Sequence, residues 1–182
     1  FMSSQNKPLV RNFMIMLICF IVDSTIAYFL PLNLDKSSIT VVPSIALMMF
    51  VPLSMTLPDA PSRFFFATVS GVFYTLVYGR ELSIYVLIFL GFTFVRSYIY
   101  HSDNLSLGEF LFLCMLAITA KEVIVYIMLL SAKITHMAIL TFALKRLLPT
   151  LGVNLLLSPI VYMIFKSFHI KVDINPYDDL EN

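Results

Sequence analysis

Residues 145–166 read Lys145-Arg-Leu-Leu-Pro149-Thr-Leu-Gly-Val-Asn154-Leu-Leu-Leu-Ser-Pro-Ile-Val-Tyr162-Met-Ile-Phe-Lys166, basic at both ends and apolar between. A run of about 20 apolar residues, rising about 1.5 Å each, crosses the hydrocarbon of a bilayer. Pro149 suits a first helical turn, where its missing N–H has no intrahelical partner to lose. Asn154 is the lone amide inside the run. The stretch reads as a transmembrane helix over about 148–168, and it sets the class for the rest of the chain.

Composition agrees. Of the 182 residues 59% are hydrophobic and 13% charged, and the mean hydropathy is +0.90. A soluble domain is nearer 45–50% apolar and about 25% charged, so the excess has no core of this size to hide in. The formal net charge of +1 carries no nucleic-acid signal. Phe1 precedes Met2 and is set aside as a leftover of expression. The first apolar run lacks a small-residue cleavage site and reads as a retained helix. Cys19 and Cys114 fall inside apolar runs and read as buried small hydrophobes, with no disulfide expected.

Working outward, five more spans appear at about 13–30, 41–57, 64–78, 84–100 and 110–132, giving an all-α bundle of six transmembrane helices in one domain, 2–168. Pro43 and Pro52 in the second span predict a kink or an irregular turn near Pro52. Residues 134–147 mix Lys133, His136, Lys145 and Arg146 with an apolar stripe, which predicts an amphipathic helix lying in the interface. The tail 169–182 is polar and reads as a mobile cytoplasmic end. Six spans put both termini on one side. With that side cytoplasmic, it holds Lys7, Arg11, Arg63, Arg96, Lys166 and Lys171. The outer side holds Lys36, Arg80, Lys133, Lys145 and Arg146, a bias of one residue.

Charges inside the spans are the candidate functional groups. Asp23 and Lys121 each lie about 12 residues past a charged residue near the start of a span. By helical rise both sit roughly 18 Å from the same edge. Ionised groups at that depth pair or line a cavity, which predicts an Asp23–Lys121 pair across helices. Glu122 is about 100° around the helix from Lys121, so the two are not expected to face each other, and Glu122 should find another partner. Helix three carries Ala67, Gly71, Thr75 and Gly79 four residues apart, a small-residue stripe that predicts close helix approach. Arg96 reads as snorkelling to the interface, and Tyr78, Tyr98, Tyr100 and Tyr162 as an interfacial belt. The ten Met residues read as adaptable packing rather than a metal site. His101, His136 and His169 stand apart in connectors or tail, and no metalloprotease, phosphate-loop or nucleophile-elbow motif is present. No enzyme and no cofactor is expected.

With the spans drawn, the chain resembles the rod shape-determining protein MreD family of bacterial cell-wall elongation. The resemblance is strongest in Arg146-Leu-Leu-Pro149-Thr150-Leu-Gly-Val-Asn154, which looks like the family's Arg-x-x-Pro-Thr-x-x-x-Asn ending. It extends to Asp23-Ser24, Val42-Pro43, Gly71-x-x-Tyr74 and Glu122. Thr75 stands where the family often has Asp, and Ser83 lies where it often has Gly. The resemblance implies a non-enzymatic scaffold in the bacterial plasma membrane that maintains cell shape. Its implied partners are MreC, a single-span protein, together with RodA, a penicillin-binding protein and MreB. The family in turn looks like the six-helix substrate-capture subunits of energy-coupling-factor vitamin transporters. That makes vitamin capture the alternative function, although helix one offers bulky Met14, Ile18 and Val22 where those subunits carry Ala. An intramembrane enzyme or ion carrier built on Asp23, Lys121 and Glu122 is a third reading. Candidate partner-binding or intramembrane polar residues are Asp23, Gly71, Tyr74, Thr75, Lys121, Glu122, Arg146, Pro149 and Asn154.

Overall fold

The computed structural model describes residues 6–29, 33–34, 39–57, 59–78, 82–99 and 105–168. The tail 169–182, Gly79, Tyr100, His101, Lys36 and Arg80 lie outside these residues, as do the side chains of Lys7, Tyr78, Arg96 and Tyr98. Within them the chain is mostly helical, with a short hairpin and irregular connections such as 41–44 and 132–138. The helices are α1 (Asn6–Phe29), α2 (Ile45–Met55), α3 (Ala60–Tyr78), α4 (Leu82–Ile99), α5 (Leu107–Ser131), α6 (Ile139–Phe142) and α7 (Leu148–Ser167). Strands β1 (Asn33–Leu34) and β2 (Ile39–Thr40) pair antiparallel between α1 and α2. Among the described residues three helices are long and apolar enough to cross a membrane: Pro8–Ile26 of α1, α5, and the continuous rod Ile139–Ser167.

Polarity runs inside out, as a bilayer demands. On α7 the buried positions are Thr150, Asn154, Ser158, Val161 and Phe165. Leu148, Leu155, Leu156, Ile160 and Met163 face outward. In water such a helix would turn over, because each exposed Leu or Ile forgoes about 1.5–3 kcal/mol of burial. Facing lipid tails, the apolar side loses nothing and the polar side finds partners within the bundle.

The centre is α2. All of Ala46–Met55 is buried, which is the fate of a helix apolar all round. Around it, α1 turns in Asn12, Ile15, Met16, Cys19, Phe20 and Asp23, the alternating steps of three and one that keep to one helix face. Aromatic rings tie the layers together. Phe50 of α2 stacks on Phe66 of α3, centroids 5.5 Å apart, and meets Phe89 of α4 at 4.6 Å. The close helix approach expected at Gly71 is present between α3 and α4: a Cβ there would stand 2.7 Å from Val86 Cα.

Two expectations change in detail. First, the second span is only partly helical. α2 has 11 residues, about 16 Å of rise, against roughly 30 Å of hydrocarbon. Residues 41–44 before it are irregular. Pro52 lies inside α2, and its missing N–H frees the carbonyl of Met48. The Cys114 thiol from α5 donates to that oxygen across 3.7 Å. Second, the stretch 134–147 is not a separate helix. Its helical part begins at Ile139, passes through a π-helical turn at Ala143–Leu147 and continues as α7. Pro149 therefore stands inside a rod rather than at its start. The wider turn just before it accommodates a proline that cannot donate to the preceding turn.

Candidate functional site

A short helix inside a bundle leaves backbone groups unpaired at both ends, and in a membrane no water satisfies them. The polar residues gather where this need arises. Around the head of α2, Val42 N–H donates to Thr150 Oγ1 (3.3 Å) and Val42 C=O accepts from Asn154 Nδ2 (2.9 Å). Pro43 has no N–H to satisfy. Ser44 N–H donates to Asn154 Oδ1 (2.9 Å). The next two N–H groups, of Ile45 and Ala46, donate to the two oxygens of Asp23 at 3.0 and 2.9 Å. A carboxylate borrowed from α1 thus does what an N-cap side chain does elsewhere, and it meets the positive end of the α2 dipole. Ser44, the residue at the cap position, makes no such bond itself.

Its hydroxyl is engaged elsewhere. Lys121 Nζ donates to Ser44 Oγ (3.2 Å) and to Tyr74 Oη (3.0 Å), and pairs with Glu122 Oε1 (2.8 Å). An ammonium has three N–H donors, so all three are in use. Glu122 Oε2 accepts from Arg146 Nε at 2.8 Å. Lys121 and Glu122 are almost wholly buried, whereas the Arg146 side chain is 32% exposed. The chain of charge therefore runs from the rim of the bundle to its middle. Asp23, Lys121, Glu122 and Arg146 together sum to zero formal charge.

The far end of α2 is treated alike. Asn12 Nδ2 donates to Leu53 C=O (3.0 Å) and to Thr56 Oγ1 (2.8 Å). Asn12 and Asp23 are 11 residues apart, about three turns and 16 Å, which returns to the same face and matches the length of α2. α1 clasps α2 at both ends.

Of the residues singled out in the sequence, Asp23, Tyr74, Lys121, Glu122, Arg146 and Asn154 meet in this network. Gly71 and Thr75 do not take part through the bonds described. Gly71 serves the α3–α4 contact, and the Thr75 hydroxyl donates to Gly71 C=O at 2.9 Å. Pro149 shapes the turn that carries Arg146. In place of the expected Asp23–Lys121 pair, Asp23 accepts from Ile45 N–H and Ala46 N–H while Lys121 pairs with Glu122, because the head of α2 lies where α1 can reach it. Lys121 and Glu122, expected to diverge, are ion-paired, because two long side chains can curl together around their helix. Asn154 reads from the sequence as a shallow and separate point, but it sits beside Ser44. Counting depth from Pro149 misplaces it: the rod starts at Ile139, about 22 Å of rise before Asn154.

Asn12 and Ser44 carry no such mark in the sequence, and Thr150 stands out there only as part of the Arg146–Asn154 motif. Thr150, Asn154 and Ser158 recur every four residues on an apolar helix, and Asn12 and Asp23 share a face, which are the signals that could have found them. Among the described residues no group of three or more His, Cys, Asp or Glu side chains is placed to hold a metal ion. No family model, curated protein or solved structure matches the chain.

Proposed function

We propose that the chain is a non-enzymatic scaffold of six membrane spans, with both termini cytoplasmic, in a bacterial plasma membrane. In this reading it belongs with the MreD-like proteins, binds the membrane helix of MreC, and helps position cell-wall elongation with RodA, a penicillin-binding protein and MreB. One observation carries the scaffold reading: every N–H of the Lys121 ammonium is taken by another side chain of the bundle. Its neighbours Asp23 and Asn154 are committed to backbone groups at the head of α2 and in the irregular residues just before it. Polar groups used in this way fix the register of helices, a role with precedent for buried polar residues.

Six spans are physically reasonable for the shorter elements. α3 and α4, of 19 and 18 residues, rise about 28 and 27 Å, close to the hydrocarbon thickness. The second span is completed by extended chain. Six residues from Ile39 to Ser44, at about 3.3 Å each, add roughly 20 Å to the 16 Å of α2. Irregular backbone is tolerated at membrane depth only where protein satisfies it, which is the service that Thr150 and Asn154 supply.

The test is co-purification from detergent with full-length MreC. A stable complex is expected, with abnormal cell width on depletion of the chain. Failure to co-purify together with normal width refutes the scaffold, and a stoichiometric small molecule in the purified protein would replace it with substrate capture. Glu122→Gln separates the third reading: an ion carrier or enzyme would lose activity with assembly intact, whereas a scaffold loses assembly with the fold.

A further inference from the structure

The rod Ile139–Ser167 is plain α-helix except at Ala143–Leu147, where Leu148 N–H reaches back five residues to Ala143 C=O. A bond that spans five residues instead of four absorbs one residue, about 100° of helical rotation. Pro149 does not account for the turn alone, since Pro159 stands in the same rod with no such turn.

The burial pattern shows what the spare residue does. Beyond the turn the inward positions are Thr150, Asn154, Ser158, Val161 and Phe165, and before it the inward position is Phe142. Phe142 and Thr150 are eight residues apart, which leaves them about 80° out of line on an unbroken α-helix. With one residue absorbed the separation counts as two turns, and the pair falls within about 20° of one face. The same correction carries Leu140 outward, where it is 68% exposed. Tyr126 of α5 is the partner that gains. Its ring stacks on Phe142, centroids 4.2 Å apart and planes at 14°, and its hydroxyl donates to Met137 C=O at 2.8 Å. On the other side of the turn, Thr150 and Asn154 are bonded to Val42 and Ser44. The rod is therefore held at two places that an unbroken α-helix would put out of line.

We propose that Ala143–Leu147 is a register joint latched by Tyr126. While Phe142 lies on Tyr126, the joint keeps its π turn. When that contact is released, the turn closes to ordinary α-helix, the form with the common bonding pattern. Ile139–Phe142 then rotates by about 100°, which brings Leu140 inward and sends Phe142 out. Arg146 lies inside the turn near its fixed end and moves less, so its bond to Glu122 persists in both registers. Tyr126 is a positioning residue in this device, which follows from helical phase and does not need the scaffold role.

The test is maleimide labelling of Leu140→Cys in the purified full chain, followed by intact mass. The chain without that substitution gives the background, its Cys19 and Cys114 being buried. Rapid labelling is expected, and Tyr126→Leu should remove most of that rate as position 140 turns inward. Deleting Leu144, an exposed residue of the turn, takes out the spare residue. In that background Tyr126→Leu should leave the rate unchanged, and Pro149→Ala in the parent should leave it unchanged as well. A rate unchanged or raised by Tyr126→Leu, an equal loss in the deletion background, or a loss with Pro149→Ala overturns the proposal. If Tyr126→Leu does not fold, two deletions decide. The chain lacking Leu144 should unfold at or above the dodecyl sulfate fraction of the parent. Deleting Leu156, which is 76% exposed on the plain helix, should lower that fraction. Equal losses for the two deletions overturn the joint.

Discussion

Replacing Asp23 with Ala removes the acceptor for two backbone N–H groups at the head of a buried helix. Ile45 N–H and Ala46 N–H donate to its oxygens at 3.0 and 2.9 Å, and Asp23 is fully buried. Each buried donor left without a partner costs about 1–3 kcal/mol. Loss of a charge at the positive end of the α2 dipole adds about 0.3–2 kcal/mol. The simple sum is roughly 2–8 kcal/mol. Interhelical hydrogen bonds measured in membranes average about 0.6 kcal/mol, because the unfolded chain in lipid also finds partners. The lower half of the range is therefore the better expectation, about 2–4 kcal/mol. Asp23→Asn keeps one acceptor but turns an amide donor toward a backbone donor, so it should recover less than half of the loss. The assay is reversible unfolding in mixed micelles as dodecyl sulfate is titrated in, followed by circular dichroism. Surface position Thr25, whose hydroxyl bonds only to Ile21 C=O in its own helix, serves as control with Thr25→Ala. A loss below about 1 kcal/mol for Asp23→Ala, or no difference from Thr25→Ala, would refute the cap.

Other outcomes follow from the same geometry. Gly71→Ala forces a Cβ to within 2.7 Å of Val86 Cα and should cost about 1–3 kcal/mol by overpacking. Gly91→Ala meets nothing within 4 Å and should be neutral or stabilising by up to about 1 kcal/mol, so paired micelle titrations check both. Glu122→Gln leaves Lys121 and Arg146 without their shared anion and should destabilise by about 3–5 kcal/mol; adding Lys121→Met should recover part of it, and thermal aggregation curves compare the three proteins. Asn154→Leu orphans Val42 C=O and Ser44 N–H and should cost about 2–4 kcal/mol, read as faster proteolysis of the purified chain. Asp59 precedes α3 and accepts from Ser62 N–H at 2.9 Å. Its partial burial pushes the carboxyl up, but hydrogen bonds from Ser62 and the charge of Arg63 outweigh this and hold it below its ordinary value of 3.8. A depressed carboxyl stabilises the fold above its unfolded value and loses that contribution as pH falls through the folded one. Asp59→Asn should therefore flatten the acid side of a stability–pH profile below about pH 4.

Much of the membrane architecture was legible from residues 145–166 and their counterparts, because a bilayer imposes one length and one polarity on every helix that crosses it. The apolar runs fall on α1, α2, α3, α4, α5 and α7, of which three stretches are long and apolar enough to cross a membrane, and the small-residue spacing around Gly71 marked a face of close approach. The candidate site was only half legible. A charge inside an apolar run stands out at once, so Asp23, Lys121 and Glu122 could be named. Ser44 could not, and Thr150 entered only through the motif it shares with Pro149, since a hydroxyl costs little on a helix and is found everywhere. Nothing in the run 41–57 says that it changes from extended chain to helix at Ser44. Both states carry the same hydropathy, and Pro43 is compatible with either.

By itself, then, the sequence determined that the chain carries helices long and apolar enough to cross a membrane and that its buried charges must find partners. Solvation alone dictates both, residue by residue. Which groups they find was decided by tertiary structure. Asp23 meets two backbone N–H groups because α2 starts where α1 can reach it. Asn154 joins the network because the rod holding it begins at Ile139, well before the proline that looked like its start. Partners of this kind depend on where a helix begins relative to its neighbours, and that register is set by packing across the whole bundle.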